Sequence, residues 1–430
     1  MSALNFADGP TTVVLISGTA GMKGHGSRYV GELAVGLARR HADVHVVVPS
    51  NTSRLEDWAT DPRITLHPVS VDFARLDAER YQGWGPLAGA ARGSARLALG
   101  LGAYRRVLRE ALPRVENASS GPYVVHVLDS EYVSLVWLLR RLRRRPRALA
   151  FATIHPSDFG PFRATLAGLY KGALRGVLSS HLRRVSGVVC HGRWIAERLV
   201  EQLRLPPDRV HPFSYPSEAR DRRIDKTVAR AELGVPRDAP TTLWFGMIRR
   251  NKRLDLALDA FAHLPTDHHL IVAGHPADTE AGTIQDRIDR LGLRGRVHPT
   301  LRYVSESEIA TFFSAADVLL ATHVPSFTSA SGPVGDARTY RLPVVTSRSG
   351  QLRTYVEAFD TGMVTEDDSP EAFAHALHAA HARVADPRRG PAWERTIGDA
   401  AEALSWDAFA EAHATWYAGA RRDAMNESLP

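Results

Sequence analysis

The feature that most constrains this chain is an alternation met twice: a short apolar run, a glycine- or cation-bearing loop, then an amphipathic stretch. Near the start, TTVVLIS is followed by Gly18, Gly21, Gly24 and Gly26, then by YVGELAVGLARR with apolar residues at helical spacing, and then by DVHVVVPS. After residue 240 the order restarts, with TTLWFGMI, a loop from Arg249 to Lys252, and LDLALDAFAHL. Alternation of strand and helix with continuous apolar runs predicts parallel sheets covered on both faces. YVVHVLDS, ALAFATIHPS and SGVVCHG supply further strands before the break, and HHLIVAGH, RVHPTL, DVLLATH and LPVVTS supply them after it. A chain of 430 residues is too long for one core and suits two domains. The expected class is therefore α/β, with two doubly wound, Rossmann-like domains facing a central cleft. Their expected limits are 1–215 and 231–392, separated by the polar segment PSEARDRRIDKTVAR as a linker over 216–230 and followed by helices over 393–430.

Composition narrows the partners. Hydrophobic residues at 44% and charged residues at 23% are globular values, and no apolar run reaches the ~20 residues of a membrane span. The N-terminus does not read as a signal peptide, and one cysteine, Cys190, excludes a disulfide framework, so a cytoplasmic protein is expected. The net charge of +7 comes from a chain with only four lysines among its 54 basic residues. Such an arginine-rich excess points to anionic small molecules at least as well as to nucleic acid, for which no motif is present. The basic runs 139–147 and 163–184 fit charged outer helix ends better than a lipid-docking surface, which stays open as an alternative.

Three loops carry chemistry. GTAGMKGHGS places Lys23 and His25 in a glycine-rich turn before a helix, a position that favours an anion, although it matches neither the dinucleotide fingerprint nor a P-loop. Arg249, Arg250 and Lys252 follow a strand directly and precede a helix, where unpaired cations oppose the helix dipole unless an anion joins them. In the third loop, Ser329, Ser331, Gly332 and Pro333 suit a helix start with free amides, and Asp336 lies one turn on. No set of His, Asp or Glu has metal-ligand spacing, so neither a metal nor another cofactor is expected.

Together these loops resemble the family-four retaining glycosyltransferases of the GT-B fold, most strongly over 241–380. Gly246 to Lys252, IVAGH, YVSESEIATFFSAADVLLATHVPS and Asp336-Ala337 ahead of Pro343-Val344-Val345 carry the resemblance. It implies an enzyme that moves a sugar from a nucleoside-diphosphate donor to a small-molecule acceptor with retention, in specialised metabolism such as antibiotic biosynthesis. It implies catalytic roles for Lys252, Arg249 and His155, with Arg249 standing in for an Arg whose place Met247 takes. Donor binding would fall to Gly24, Gly26, Gly246, Tyr303, Thr328, Ser331, Gly332, Pro333 and Asp336, with Thr328 and Asp336 at the places of the family's two Glu. Acceptor binding would fall to Lys23, His25, His126, Asp129 and Glu131, and the helices over 393–430 would cross back to the first domain. A nucleotide-sugar epimerase or hydrolase of the same fold, and a catalytically silent binding protein, remain alternatives.

Overall fold

The computed structural model describes residues 11–17, 25–49, 60–69, 88–129, 132–154, 166–327 and 331–426. They divide into two units.

The first unit holds a seven-stranded sheet in the order β3-β2-β1-β4-β5-β6-β7. The strands are β1 (Thr12–Ser17), β2 (Asp43–Pro49), β3 (Ile64–Val69), β4 (Tyr123–Asp129), β5 (Ala148–Thr153), β6 (Gly187–Cys190) and β7 (Val210–Pro212). Every pairing is parallel. The β-branched runs of β1 and β4 are buried throughout their described side chains, as strands covered on both faces must be. Helix His25–Arg39 is sealed by a helix from the other end of the chain, Trp406–Asn426. Gly36 makes their close approach possible, because a Cβ there would lie 2.4 Å from Ala410 Cβ. Tyr29 packs on Trp406 and Phe409, and the Arg40 guanidinium donates to both Asp407 carboxylate oxygens at 3.0 and 2.8 Å. Part of the basic run 139–147 is spent inside this unit: Arg145 pairs with Glu116, and Arg147 donates to the Glu116 and Ser119 carbonyls at 2.9 and 2.8 Å.

The second unit holds six parallel strands in the order β10-β9-β8-β11-β12-β13. These are β8 (Thr241–Phe245), β9 (His269–Ala273), β10 (Val297–Thr300), β11 (Val318–Ala321), β12 (Val344–Thr346) and β13 (Gly362–Val364). Successive residues of β8 enter opposite cores: Trp244 packs with Phe261, Phe373 and Trp393, Leu243 with Phe312, Phe313 and Tyr340. In each sheet the order reverses once, between β1 and β4 and between β8 and β11. At such a reversal the loops leaving the carboxyl ends diverge and open a crevice for a ligand. No described helix is long and apolar enough to cross a membrane.

The expected boundaries need correction. Residues 216–230 are not a free linker, because the second unit begins at Phe213 and also takes in His191–Ile195. Ser217 N–H donates to the Leu404 carbonyl at 2.9 Å and Ile224 N–H to Ser314 Oγ at 3.0 Å. Arg230, only 4% exposed, reaches Asp317 and the Ala315 carbonyl, both at 2.9 Å. Asp317 also pairs with Lys226 and accepts from Thr241 N–H, so a polar segment is tied down through its charges. Of the helices expected to return to the first domain, Trp406–Asn426 belongs to the first unit, whereas Arg389–Ala403 belongs to the second.

Candidate functional site

At the reversal of the second sheet, the loop after β8 and the loop after β11 meet. The chain leaves β8 through Gly246, whose φ of +113° favours glycine. A Cβ there would lie 2.6 Å from Lys252 Nζ and 3.3 Å from Pro333 Cγ. Glycine thus makes the space into which the ammonium folds, against the start of helix Gly332–Thr339. Gly274, at the end of β9, presses on the same turn: its Cβ would fall 1.9 Å from the Gly246 carbonyl oxygen. Gly246 N–H donates to Ala273 O and Ile248 N–H to His275 O, both at 2.9 Å.

The cation loop is anchored from β11. The Thr322 hydroxyl lies 2.9 Å from both the Lys252 and the Arg253 carbonyls and accepts from Trp244 Nε1 at 3.1 Å. Val324 N–H donates to the Asn251 carbonyl and Arg250 N–H to Asp278 Oδ1, each at 2.9 Å. A loop held at this many points presents its ammonium at a fixed place, which is what pre-organised recognition needs.

The electrostatics are one-sided. Burial, and next the charge of Arg249, bring the Lys252 pKa down to about 8. No described carboxylate pairs with it. Arg249 is exposed, with its Nε 3.1 Å from Met247 Sδ, so the methionine at the expected arginine position lies beside the expected substitute. The helix start adds partial positive charge: Val334 and Gly335 N–H turn back to the Ser331 carbonyl at 3.1 and 3.2 Å, Pro333 has no N–H, and the Gly332 amide has no acceptor among the described residues. An ammonium, a guanidinium and a helix start converge here, an arrangement that an oligoanion such as a diphosphate relieves.

The structure therefore brings together Gly246, Arg249, Lys252, Ser331, Gly332 and Pro333. Asp336 lies half-buried on the same helix. Tyr303 is 60% exposed on the loop after the edge strand β10. In the first unit, the acceptor role expected of His126 is corrected. The residue is 0% exposed, with Nδ1 2.5 Å from Tyr417 Oη and Nε2 2.9 Å from Thr153 Oγ1, and it stacks on the buried ring of His413. Its polar atoms are used up holding the C-terminal helix to the sheet. Gly26 and His25 lie in the first turn of helix His25–Arg39 and Asp129 ends β4; their side chains lie outside the described residues, as do Lys23, Gly24, Glu131, His155 and Thr328 altogether. Among the described residues, no three His, Cys, Asp or Glu side chains form a metal-binding group. Cys190 is buried, its thiol pushed up to about 12, so it is no nucleophile.

Sequence reasoning missed Thr322 and His323, the first two residues after β11. Only the general preference for ligand-facing residues at strand ends marks them, and nothing local separates His323 from the chain's 18 other histidines.

Comparison with known proteins agrees with this geometry. Residues 26–216 match the family model described as glycosyl transferase 4-like domain, and residues 239–382 the model described as glycosyl transferases group 1. A D-inositol 3-phosphate glycosyltransferase of Xylanimonas cellulosilytica is 30% identical over 251 residues, 55% of this chain and 57% of that protein. One of Mycobacterium tuberculosis is 32% identical over 187 residues, 43% of this chain and 38% of that protein. The chain thus spans about half the length of the curated relatives it matches. Among solved structures, HepE of Anabaena in complex with UDP superposes with a TM-score of 0.69 at 15% identity, covering 95% of this chain and 100% of that one. Sucrose-phosphate synthase of Thermosynechococcus elongatus gives 0.68 at 19% identity, covering 95% and 98%. These likenesses fix the fold as GT-B.

Proposed function

We propose that this chain, which belongs to the GT-B glycosyltransferases through its 4-like and group 1 domains, moves a sugar from a nucleoside-diphosphate donor to a small hydroxylated acceptor. One observation carries the reading: the Lys252 ammonium, half-buried against Gly246 and the start of helix Gly332–Thr339, has no acidic partner among the described residues. Breaking the sugar–phosphate bond leaves charge on the departing diphosphate and oxocarbenium character on the sugar. Lys252, Arg249 and the Gly332 amide stabilise the former, and they do so best where charge is greatest, in the transition state. The acceptor hydroxyl enters on the face the diphosphate leaves, and its proton passes to the departing phosphate oxygen. The sugar keeps its anomeric configuration, and neither a metal nor a separate base is needed.

The relatives named D-inositol 3-phosphate glycosyltransferase support a polyol phosphate as acceptor, and the solved complex with UDP supports a uridine donor. Calorimetry with UDP, GDP, dTDP and ADP tests the donor site, with micromolar to millimolar affinity expected for one or more of them. Incubation of the matching nucleotide-sugar with and without inositol phosphate, read by NMR for the anomeric configuration of the product, tests transfer. Free or epimerised sugar formed equally without acceptor would identify a hydrolase or epimerase instead. Absence of binding by all four nucleotides would remove the proposal.

A further inference from the structure

His323 lies two residues beyond the end of β11, at the sheet reversal where the Lys252 loop lies. It is 4% exposed, and neither ring nitrogen makes a hydrogen bond to a described residue. Its two chain neighbours both hold the cation loop, Thr322 through the Lys252 and Arg253 carbonyls and Val324 through the Asn251 carbonyl. The ring packs against Phe327 at a tilt of 49°, with centroids 4.2 Å apart. Burial, and next the charge of Lys252, lower its pKa to about 3, against the opposing pull of the Ala321 backbone. The ring is neutral at physiological pH.

A neutral imidazole carries one N–H and one lone pair. Leaving both unmet in the interior is costly, and native proteins rarely do so without a reason. A phosphate oxygen accepts only, so it would satisfy the N–H and repel the lone pair. Hydroxyl groups both donate and accept, and they satisfy both nitrogens. The positive charge that a diphosphate requires is already present beside the ring, in Lys252 and Arg249.

We infer that His323 is a sugar-recognition residue: its neutral ring exchanges hydrogen bonds with hydroxyl groups of the sugar being transferred, while Lys252 holds the adjoining diphosphate. This rests on the donor-site reading above.

Two variants test it. His323→Phe keeps the aromatic contact with Phe327 and removes both hydrogen-bonding atoms, and His323→Gln keeps a donor and an acceptor. Melting temperature without ligand is measured for each. Dissociation constants are measured for UDP and GDP alone and for UDP-glucose, UDP-N-acetylglucosamine and GDP-mannose. The expected result for His323→Phe is a Tm unchanged or raised, affinity for the bare nucleotide within about twofold of wild type, and affinity for the nucleotide-sugar reduced by about tenfold or more. His323→Gln is expected to restore most of that loss. A purely structural histidine would lower Tm and weaken bare nucleotide and nucleotide-sugar alike, which overturns the inference. Equal nucleotide-sugar affinity in His323→Phe and wild type overturns it as well, and leaves the donor site intact. A wild type that binds no nucleotide in either form overturns both.

Discussion

Replacing Lys252 with methionine keeps an unbranched side chain one atom shorter and removes its charge, so it separates what the ammonium does for function from what it costs the fold. Its pKa falls from 10.5 to about 8 in the folded protein, because burial and Arg249 disfavour the charged form. The gap of about 2.5 pH units, at about 1.4 kcal/mol per unit, amounts to ~3 kcal/mol of instability at pH 7. The side chain keeps some contact with water, and screening brings the figure to about 1–3 kcal/mol. The penalty is fully present below pH 8, where the folded and unfolded chains both carry the charge. It decays between pH 8 and about 10.5, as the folded state binds fewer protons than the unfolded one. Lys252→Met is therefore expected to melt several degrees above wild type at pH 7, at about 2–4 °C per kcal/mol for a unit of this size. The two melting curves should converge near pH 10.5. The same variant should lose at least ~100-fold in kcat/KM for sugar transfer, since the ammonium acts on charge that develops in the transition state. Scanning calorimetry across pH, with initial rates at pH 7, makes the measurement. A lower Tm at pH 7, a stability difference that does not change with pH, or full activity in the variant would each refute the reasoning.

Other outcomes follow from the same contacts. Wild-type affinity for UDP is expected to fall as pH rises above about 8, where the free ammonium deprotonates, and binding there should take up a proton, visible as a buffer-dependent enthalpy in calorimetry. Gly246→Ala places a Cβ 2.6 Å from Lys252 Nζ at a φ of +113°; it should cost about 1–3 kcal/mol in urea unfolding and weaken nucleotide binding together. Tyr417→Phe strips His126 Nδ1 of its partner in a sealed core and should cost about 1–3 kcal/mol, with nucleotide affinity unchanged because Lys252, Arg249 and Gly332 lie in the other unit. Asp317→Ala leaves the buried Arg230 guanidinium unpaired and should cost ~3 kcal/mol by the same unfolding measurement.

Legibility followed how local the cause was. β1, β4, β8 and β11 were readable because their β-branched runs are buried on both faces, which leaves continuous apolar sequence. β3 was not, since ITLHPV sits at a sheet edge with half its residues turned outward and a proline within it. β7 and β13, three residues each, are too short to show a period. The cation loop was legible because Gly246, Arg249 and Lys252 are close in sequence and sit between a strand and a helix. The segment 216–230 was misread because low apolarity usually means solvent, whereas here Arg230 and Ile224 are tied to residues about 90 positions away. His126 was misread for a similar reason: its partner Tyr417 is 291 residues distant. The unmet ring of His323 is a fact of three dimensions alone.

The path of the chain has a consequence for how the protein is made. The first unit is finished only by helix Trp406–Asn426, and Arg40 finds Asp407 across 367 residues. During synthesis at about 5–20 residues per second, helix His25–Arg39 emerges with the face meant for that partner uncovered, and it waits roughly 20–70 s. The stretch Phe213–Ser405 needs only His191–Ile195 from earlier sequence, so it can close as soon as it leaves the ribosome. The half of the chain translated first is thus the half completed last. A chain halted before Trp406 would present a complete donor-side unit beside an uncovered apolar helix, the kind of surface that chaperones hold and proteases clear.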